Sequence, residues 1–175
     1  MRVLLDATTL IALGAVGELD LLTNFDGEIE IPHLVYEEVT TEPARSALDR
    51  FTRPRYESGE VRILQPTAAV ERGCKILGDE EPSGDAQIVG RVATAVEEDV
   101  PVAVVSDDRR VRTVTRGLDA TVTGTIGVVT RAVEEGMDPK EAKDLVRRLD
   151  GHGLHTTGEL REVADSLIDG AADGR

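Results

Sequence analysis

The fold is decided by the opening stretch Met1-Arg-Val-Leu-Leu-Asp6-Ala-Thr8-Thr-Leu-Ile-Ala-Leu-Gly-Ala15. Its apolar run over residues 2–5 ends at a carboxylate, which is the pattern of a buried central strand. Thr8 or Thr9 can then cap a helix whose aliphatic side chains face the sheet. Asp6 therefore lies just beyond the carboxyl end of a strand, where open α/β sheets place their ligand-binding groups. On these residues alone, Asp6 either binds a ligand or only ends the strand and helps to cap the helix.

Strand-like and helix-like runs alternate along the chain that follows. Short strands are predicted at residues 28–31, 61–64, 101–105 and 120–122. Helices are predicted at residues 18–25, 33–41, 43–51, 68–77, 83–96, 109–116, 125–136, 138–149 and 157–168. The segment 52–59 holds two Arg, a Pro and a Gly, and therefore predicts a loop. The alternation favours a parallel α/β sheet with helices on both faces.

One domain is expected for a chain of 175 residues, which can bury roughly 70% of the surface of its unfolded chain. We divide it into an α/β domain over residues 1–137, a helical extension packed on that domain over residues 138–169, and a disordered tail over residues 170–175. His152 and His155 lie between the last two helices. A solvated turn is a simpler interpretation of these histidines than a metal site.

The chain is acidic, with 34 Asp and Glu against 20 Lys and Arg, a net charge of −14 and a pI near 4.6. Such a charge normally argues against a nucleic-acid partner. However, Lys75, Lys140 and Lys143 are the only lysines, and aromatic residues make up 2%. This composition is similar to that of proteins from salt-loving archaea, in whose molar salt the Debye length is about 3 Å. We therefore assign the acidity to a halophilic environment, while the shortage of aromatics argues against platforms that stack single-stranded bases.

The sequence also indicates a cellular location. Cys74 is the single cysteine, so an intrachain disulfide cannot form and an intracellular site is expected. A small core residue is a simpler interpretation of this cysteine than a nucleophile. Asp6 breaks the opening apolar run, which is unlike a signal peptide, and no run approaches the ~18 apolar residues of a membrane span. We therefore expect a soluble cytoplasmic protein without membrane association.

Further acids follow in places that the predicted topology brings to one edge of the sheet. Asp107 and Asp108 come directly after the strand-like run at 101–105. Asp85 falls in the first turn of a helix, where the helix dipole favours a carboxylate whatever its role. Glu38 shares the side of its helix that carries aliphatic residues, where a carboxylate is costly unless it is paired or bound to metal. Together with Asp6, these side chains would converge at one edge of the sheet.

The chemistry of such a cluster points to a divalent cation. Several hard carboxylate oxygens, without Cys or paired His, suit Mg²⁺ or Mn²⁺. One or two such ions could activate water and stabilise a pentavalent phosphate during phosphodiester hydrolysis. Arginines cluster over residues 45–55 and 109–116, where they could contact phosphate or merely solvate exposed segments.

Four segments in the right order resemble the PIN-domain family, the small metal-dependent ribonucleases that include VapC-type toxins. Asp6-Ala-Thr8-Thr-Leu-Ile resembles the family's first acid with its following Ser or Thr, and Ile31-Pro-His-Leu-Val-Tyr-Glu-Glu38-Val resembles the segment ending in the second. Gly84-Asp85-Ala-Gln-Ile is similar to the third. Val105-Ser106-Asp107-Asp108-Arg109 resembles the fourth, an alignment that favours Asp108, with Asp107 as a close alternative. The terminal helices resemble those of a subgroup whose activity is poorly defined.

The resemblance implies a single three-layer α/β/α domain with a central, mainly parallel sheet and additional C-terminal helices. It implies RNA hydrolysis in which Asp6 and Asp85 are the primary ligands of Mg²⁺ or Mn²⁺, completed by Glu38 and Asp108. Thr8 or Ser106 would orient water or a carboxylate. A small antitoxin and a homodimer are expected by the same analogy. The arginines that would position the RNA backbone are Arg45, Arg53, Arg55, Arg109, Arg110 and Arg112.

Other functions compete with the ribonuclease. A catalytically weak PIN-like module that binds RNA or a partner protein stays open as the alternative. A phosphoacceptor receiver domain is disfavoured because it needs an acid pair after the first strand and a late Lys, and Lys140 follows no strand. A haloacid-type phosphatase needs an acid two residues after Asp6, where Thr8 stands.

Overall fold

The computed structural model describes residues 1–152 and 158–174. Its strands are β1 (Arg2–Leu5), β2 (Glu28–Pro32), β3 (Val61–Leu64), β4 (Val102–Val105) and β5 (Thr121–Thr123). They form one parallel sheet in the order β3-β2-β1-β4-β5. The predicted α/β class is confirmed, and β1 is the central strand. Because Leu5 pairs in register with Val105, the residues that follow β1 and β4 leave the sheet side by side.

The helices form a layer on each face of this sheet. They are α1 (Ala7–Val16), α2 (His33–Glu38), α3 (Ala44–Ser58), α4 (Ala68–Leu77), α5 (Gly84–Glu97), α6 (Arg109–Gly117), α7 (Thr125–Glu134), α8 (Pro139–Gly151) and α9 (Gly158–Asp173). A 3₁₀ helix spans Leu19–Asn24. One layer is built from α4, α5 and α6, and the other from α1, α3, α7, α8 and α9. The core between the layers is mainly aliphatic, in keeping with a chain in which 2% of residues are aromatic.

The segment 52–59 is not the predicted loop, because α3 continues through it to Ser58. Pro54 lies inside the helix and removes one backbone N–H donor. Two side chains on either side of the proline add hydrogen bonds to the helix: the Thr52 hydroxyl donates to the Leu48 carbonyl at 2.8 Å, and Arg55 Nη1 donates to the Phe51 carbonyl at 3.1 Å. Burial of Phe51 and Thr52 in the core holds this turn of helix in place.

The two terminal helices pack on α7, and α8 also contacts α1. The predicted disordered tail over residues 170–175 is wrong for residues 170–173, because α9 continues to Asp173. Ala171 and Ala172 pack against the core there, and alanine is the strongest helix former. His155 and Arg175 lie outside the described residues. Within residues 1–152 and 158–174, none of the helices has the length and apolar character that a membrane crossing requires.

Candidate metal centre

Asp6 is buried where β1 ends, with 2% of its surface exposed. One carboxylate oxygen accepts a hydrogen bond from the Ala7 N–H at 2.7 Å. The other accepts from the hydroxyls of Thr8 at 2.7 Å and Ser106 at 2.5 Å. The predicted cap at Thr8 or Thr9 is therefore wrong, since Asp6 itself caps α1. Burial raises the pKa of Asp6 above its usual value, against the opposing effect of these hydrogen bonds.

Ser106 joins the ends of β1 and β4. Its hydroxyl donates to Asp6 and accepts from the Asp108 backbone N–H at 3.0 Å. Asp108 caps α6 through a bond from the Val111 N–H at 2.8 Å. The buried hydroxyl therefore fixes the Asp6 carboxylate and the turn that carries Asp108 at the same time.

Asp107 caps a different helix from Asp108. Its carboxylate accepts from the backbone N–H of Thr125 at 3.0 Å and from the Thr125 hydroxyl, and its own N–H donates to the Thr8 hydroxyl at 3.1 Å. It thereby caps the start of α7, where Gly124 has no side chain to do so. Both carboxylate oxygens are engaged, which favours Asp108 as the fourth acid of the cluster.

Asp85 lies half-buried in the first turn of α5, at the same edge of the sheet. Burial, followed by the negative charges of Asp6, Asp108 and Glu38, raises the pKa of Asp85 from 3.8 to about 6, and Arg110 opposes this shift. Each of these charges must be close enough to act on Asp85. The structure thus brings Asp6, Glu38, Asp85 and Asp108 into one electrostatic neighbourhood.

Glu38 reaches this neighbourhood from the last residue of α2. Glu38 lies on the same side of the helix as the aliphatic Val35, as predicted, since both side chains approach Gly84 of α5. The residue nevertheless reaches solvent and is exposed. One carboxylate oxygen accepts from the Gly84 N–H at 2.8 Å. A Cβ at position 84 would lie 2.8 Å from both carboxylate oxygens, so the glycine permits this close approach.

The donor set fits a hard divalent cation. All four acids offer oxygen ligands, as Mg²⁺ and Mn²⁺ prefer, and Arg110, which also pairs with Asp79, offsets part of their mutual repulsion. Among the described residues, however, no three or more His, Cys, Asp or Glu side chains form a group that could hold a metal ion as it stands. The carboxylates are neighbours, but their side chains are not gathered into a cage.

The predicted RNA-binding arginines divide into three sets. Arg45, Arg55 and Arg112 donate to backbone carbonyls of the chain, at 3.0, 3.1 and 2.8 Å. Arg110 donates to Asp79 at 2.6 Å beside the acids. Arg53 and Arg109 are exposed, and in the part of the chain that the structure describes their guanidinium groups have no partner.

Gln87 is a supporting residue that the sequence analysis missed. It is 1% exposed in α5. Its amide oxygen accepts from the Leu34 N–H at 3.0 Å, and its amide nitrogen donates to the Leu64 carbonyl at 2.7 Å. The residue thereby fixes the start of α2, the helix that carries Glu38, against α5 and β3. A polar residue within the apolar face of α5 was the available signal.

A protein-family profile described as a PIN domain matches residues 2–169 of the chain. No curated protein sequence matches it. The matched range contains every strand of the sheet, all four acids of the cluster and nearly all of the C-terminal helices.

Proposed function

This chain belongs to the PIN-domain family, and from that premise we propose that it is a divalent-metal-dependent endoribonuclease. PIN domains are generally nucleases, and nucleases are hydrolases. The metal and the RNA substrate belong to the proposal. The single observation that carries it is that the four acids converge at the carboxyl edge of the sheet. The Ser106 hydroxyl joins Asp6 to the Asp108 backbone, and Glu38 accepts from the N–H of Gly84, the residue before Asp85.

In this proposal Asp6, Asp85, Glu38 and Asp108 hold Mg²⁺ or Mn²⁺. The bound ion would supply a Lewis acid and a water of lowered pKa for attack on phosphorus. The chain's own residues do the positioning. Ser106 and Thr8 hold one oxygen of Asp6, while the Gly84 N–H orients Glu38. Arg53 and Arg109 are free to contact phosphates of the bound strand.

The proposal extends to a protein partner, a small antitoxin. An open groove of about 810 Å³ begins at Thr8 and Asp108 and runs to α9. Large apolar side chains of α9 line its far end and stay exposed: Leu160 (38%), Val163 (47%) and Leu167 (47%). An exposed apolar patch beside a charged site is typical of a protein-binding surface, so an inhibitor bound there would also cover the acids.

The test is cleavage of a structured RNA by the purified chain with Mn²⁺, with Mg²⁺ and with a chelator. We expect cleavage that the chelator abolishes and that Asp85→Asn lowers by about 100-fold or more. Glu80→Gln, an exposed acid close in sequence, serves as the matched control and should cleave normally. Wild-type rates in Asp85→Asn would overturn the proposed site.

The second candidate is a module that binds RNA or a partner protein and cleaves weakly. It is favoured by the open arrangement of the four acids, which do not form a metal cage among the described residues. Calorimetric titration with Mn²⁺ separates the two. Binding without cleavage would indicate a nuclease with a narrow substrate range, whereas no binding would favour the module.

A further inference from the structure

Both tyrosines of the chain line one open pocket of about 690 Å³. The pocket lies between α2, α3 and the outer strand β3. Three arginines outnumber the two acids among its remaining side chains, which are Arg45, Arg50, Arg53, Asp49, Glu57, Thr52, Pro54 and Ile63. The shortage of aromatic residues, 2% of the chain, argued against platforms that stack single-stranded bases. The fold nevertheless brings both tyrosines together with three arginines, and this concentration is the feature to explain.

One wall of the pocket is held rigidly. The Arg45 guanidinium lies over the Tyr36 ring, 4.5 Å from its centre, and Nη1 donates to the Tyr36 carbonyl at 3.0 Å. The Tyr36 hydroxyl donates to Asp49 at 2.6 Å. The stacked pair therefore presents a flat surface whose polar groups are already satisfied.

The other residues that line the pocket include exposed side chains. Tyr56 is 61% exposed. Arg50 and Arg53 are exposed as well, and their guanidinium groups have no hydrogen-bond or ion-pair partner in residues 1–152 and 158–174. The pocket thus combines an uncovered aromatic ring with two uncommitted cations, although the chain as a whole repels anions.

Resting on the proposed ribonuclease function, we propose that this pocket binds an unstacked base of single-stranded RNA. Bases splayed out of a strand stack on aromatic rings and on guanidinium planes. Tyr56 would stack the base against the Tyr36–Arg45 wall, and Arg50 and Arg53 would bind the flanking phosphates. Tyr36 and Glu38 lie two positions apart on the same short helix, and their side chains therefore point to opposite sides of it. A strand bound in the pocket must pass around this helix to reach the acids.

The test compares the RNA affinity of full-length variants that are substituted in the pocket and not at the four acids. Anisotropy of a fluorescein-labelled, uridine-rich single strand, measured with chelator so that no cleavage occurs, gives the Kd. We expect Tyr56→Ala to weaken binding about tenfold and Tyr56→Phe to preserve it, because stacking needs the ring and not the hydroxyl. Arg147→Ala removes an exposed arginine on α8, outside both arginine clusters, and should bind the strand as the wild type does. A blunt RNA duplex should bind equally to the wild type and to Tyr56→Ala.

Hydrolysis of bis(4-nitrophenyl) phosphate with Mn²⁺ is measured in parallel, because that ester is too small to need the pocket. Hydrolysis that Tyr56→Ala leaves unchanged, with weaker RNA binding, supports the pocket. Wild-type RNA affinity in Tyr56→Ala, loss of affinity only in Arg53→Ala, or no RNA binding by the wild type each overturns it. If RNA binding depends on Tyr56 but neither the ester nor RNA is cleaved, the pocket stands and the ribonuclease proposal fails.

Discussion

Asp85 is the residue through which pH, stability and metal binding are coupled. Its folded-state pKa of about 6 exceeds its ordinary value of 3.8. Between these values the folded chain binds more protons than the unfolded chain, so this group makes the free energy of unfolding fall as pH rises. Above pH 6 the ionised side chain destabilises the metal-free fold, and below about pH 4 it has no such effect.

We therefore expect Asp85→Asn to stabilise the metal-free protein at neutral pH. The gain is about 1 kcal/mol once the partial exposure of Asp85 is allowed for, or about 2–4 °C in Tm. Thermal unfolding with chelator at pH 7.5 and pH 4 measures it, and the gain should vanish at pH 4. Mn²⁺ should raise the Tm of the wild type but not of the variant. A variant less stable than wild type at pH 7.5 would contradict the electrostatic account.

At the scale of elements, the α4–α5 pair supports the site because α5 carries Gly84, Asp85 and Gln87. The two helices touch through backbone. A Cβ at Gly73 would lie 1.8 Å from the Ala86 carbonyl oxygen, and a Cβ at Gly90 would lie 1.8 Å from that of Ala69. The contact tolerates no side chain at either position, and any separation of the helices would move Asp85.

Gly90→Ala should therefore destabilise the fold by about 1–3 kcal/mol, since backbone must shift to admit a methyl group. Denaturant unfolding gives the value, and Mn²⁺ titration should show weaker binding. Gly117→Ala is the matched control because nothing lies within 4 Å of its Cβ. That helical substitution should be neutral or slightly stabilising. Equal stability of the two variants would show that α4 and α5 do not pack this tightly.

For the whole molecule, the net charge of −14 sets the response to salt. Unscreened repulsion among the surface acids opposes the compact state. Molar salt shortens the Debye length to about 3 Å and removes most of this repulsion. The excess charge is spread over the surface, so the effect of salt on stability comes from the whole chain and not from a single pair of charges.

We expect the Tm to rise steadily from dilute buffer to molar KCl. Differential scanning calorimetry measures the rise, and sucrose at matched osmolality is the control for general exclusion of solute from the surface. A Tm that is flat or falls with KCl would mean that ion pairs outweigh repulsion, and it would remove the support for a halophilic origin.

The limits of sequence reasoning are visible at particular residues. Glu30 lies in the strand predicted at residues 28–31, and it is fully buried, with both carboxylate oxygens within 3.2 Å of Arg91. Pro54 was assigned to a loop because its local effect is to break helices, whereas burial of Phe51 overrides it. Both outcomes depend on partners distant in sequence.

The sequence by itself determined the parallel α/β sheet and the edge at which its acids collect. The reason is directional: parallel strands all end on the same edge, so acids that follow them in the chain must meet there. Only the tertiary structure decided that the charge of Asp108 acts on the cluster while Asp107 caps α7. It also decided that Glu38 is exposed and that both tyrosines line one pocket. These features depend on where each side chain finds its partner, which the chain settles only when its helices pack on the sheet.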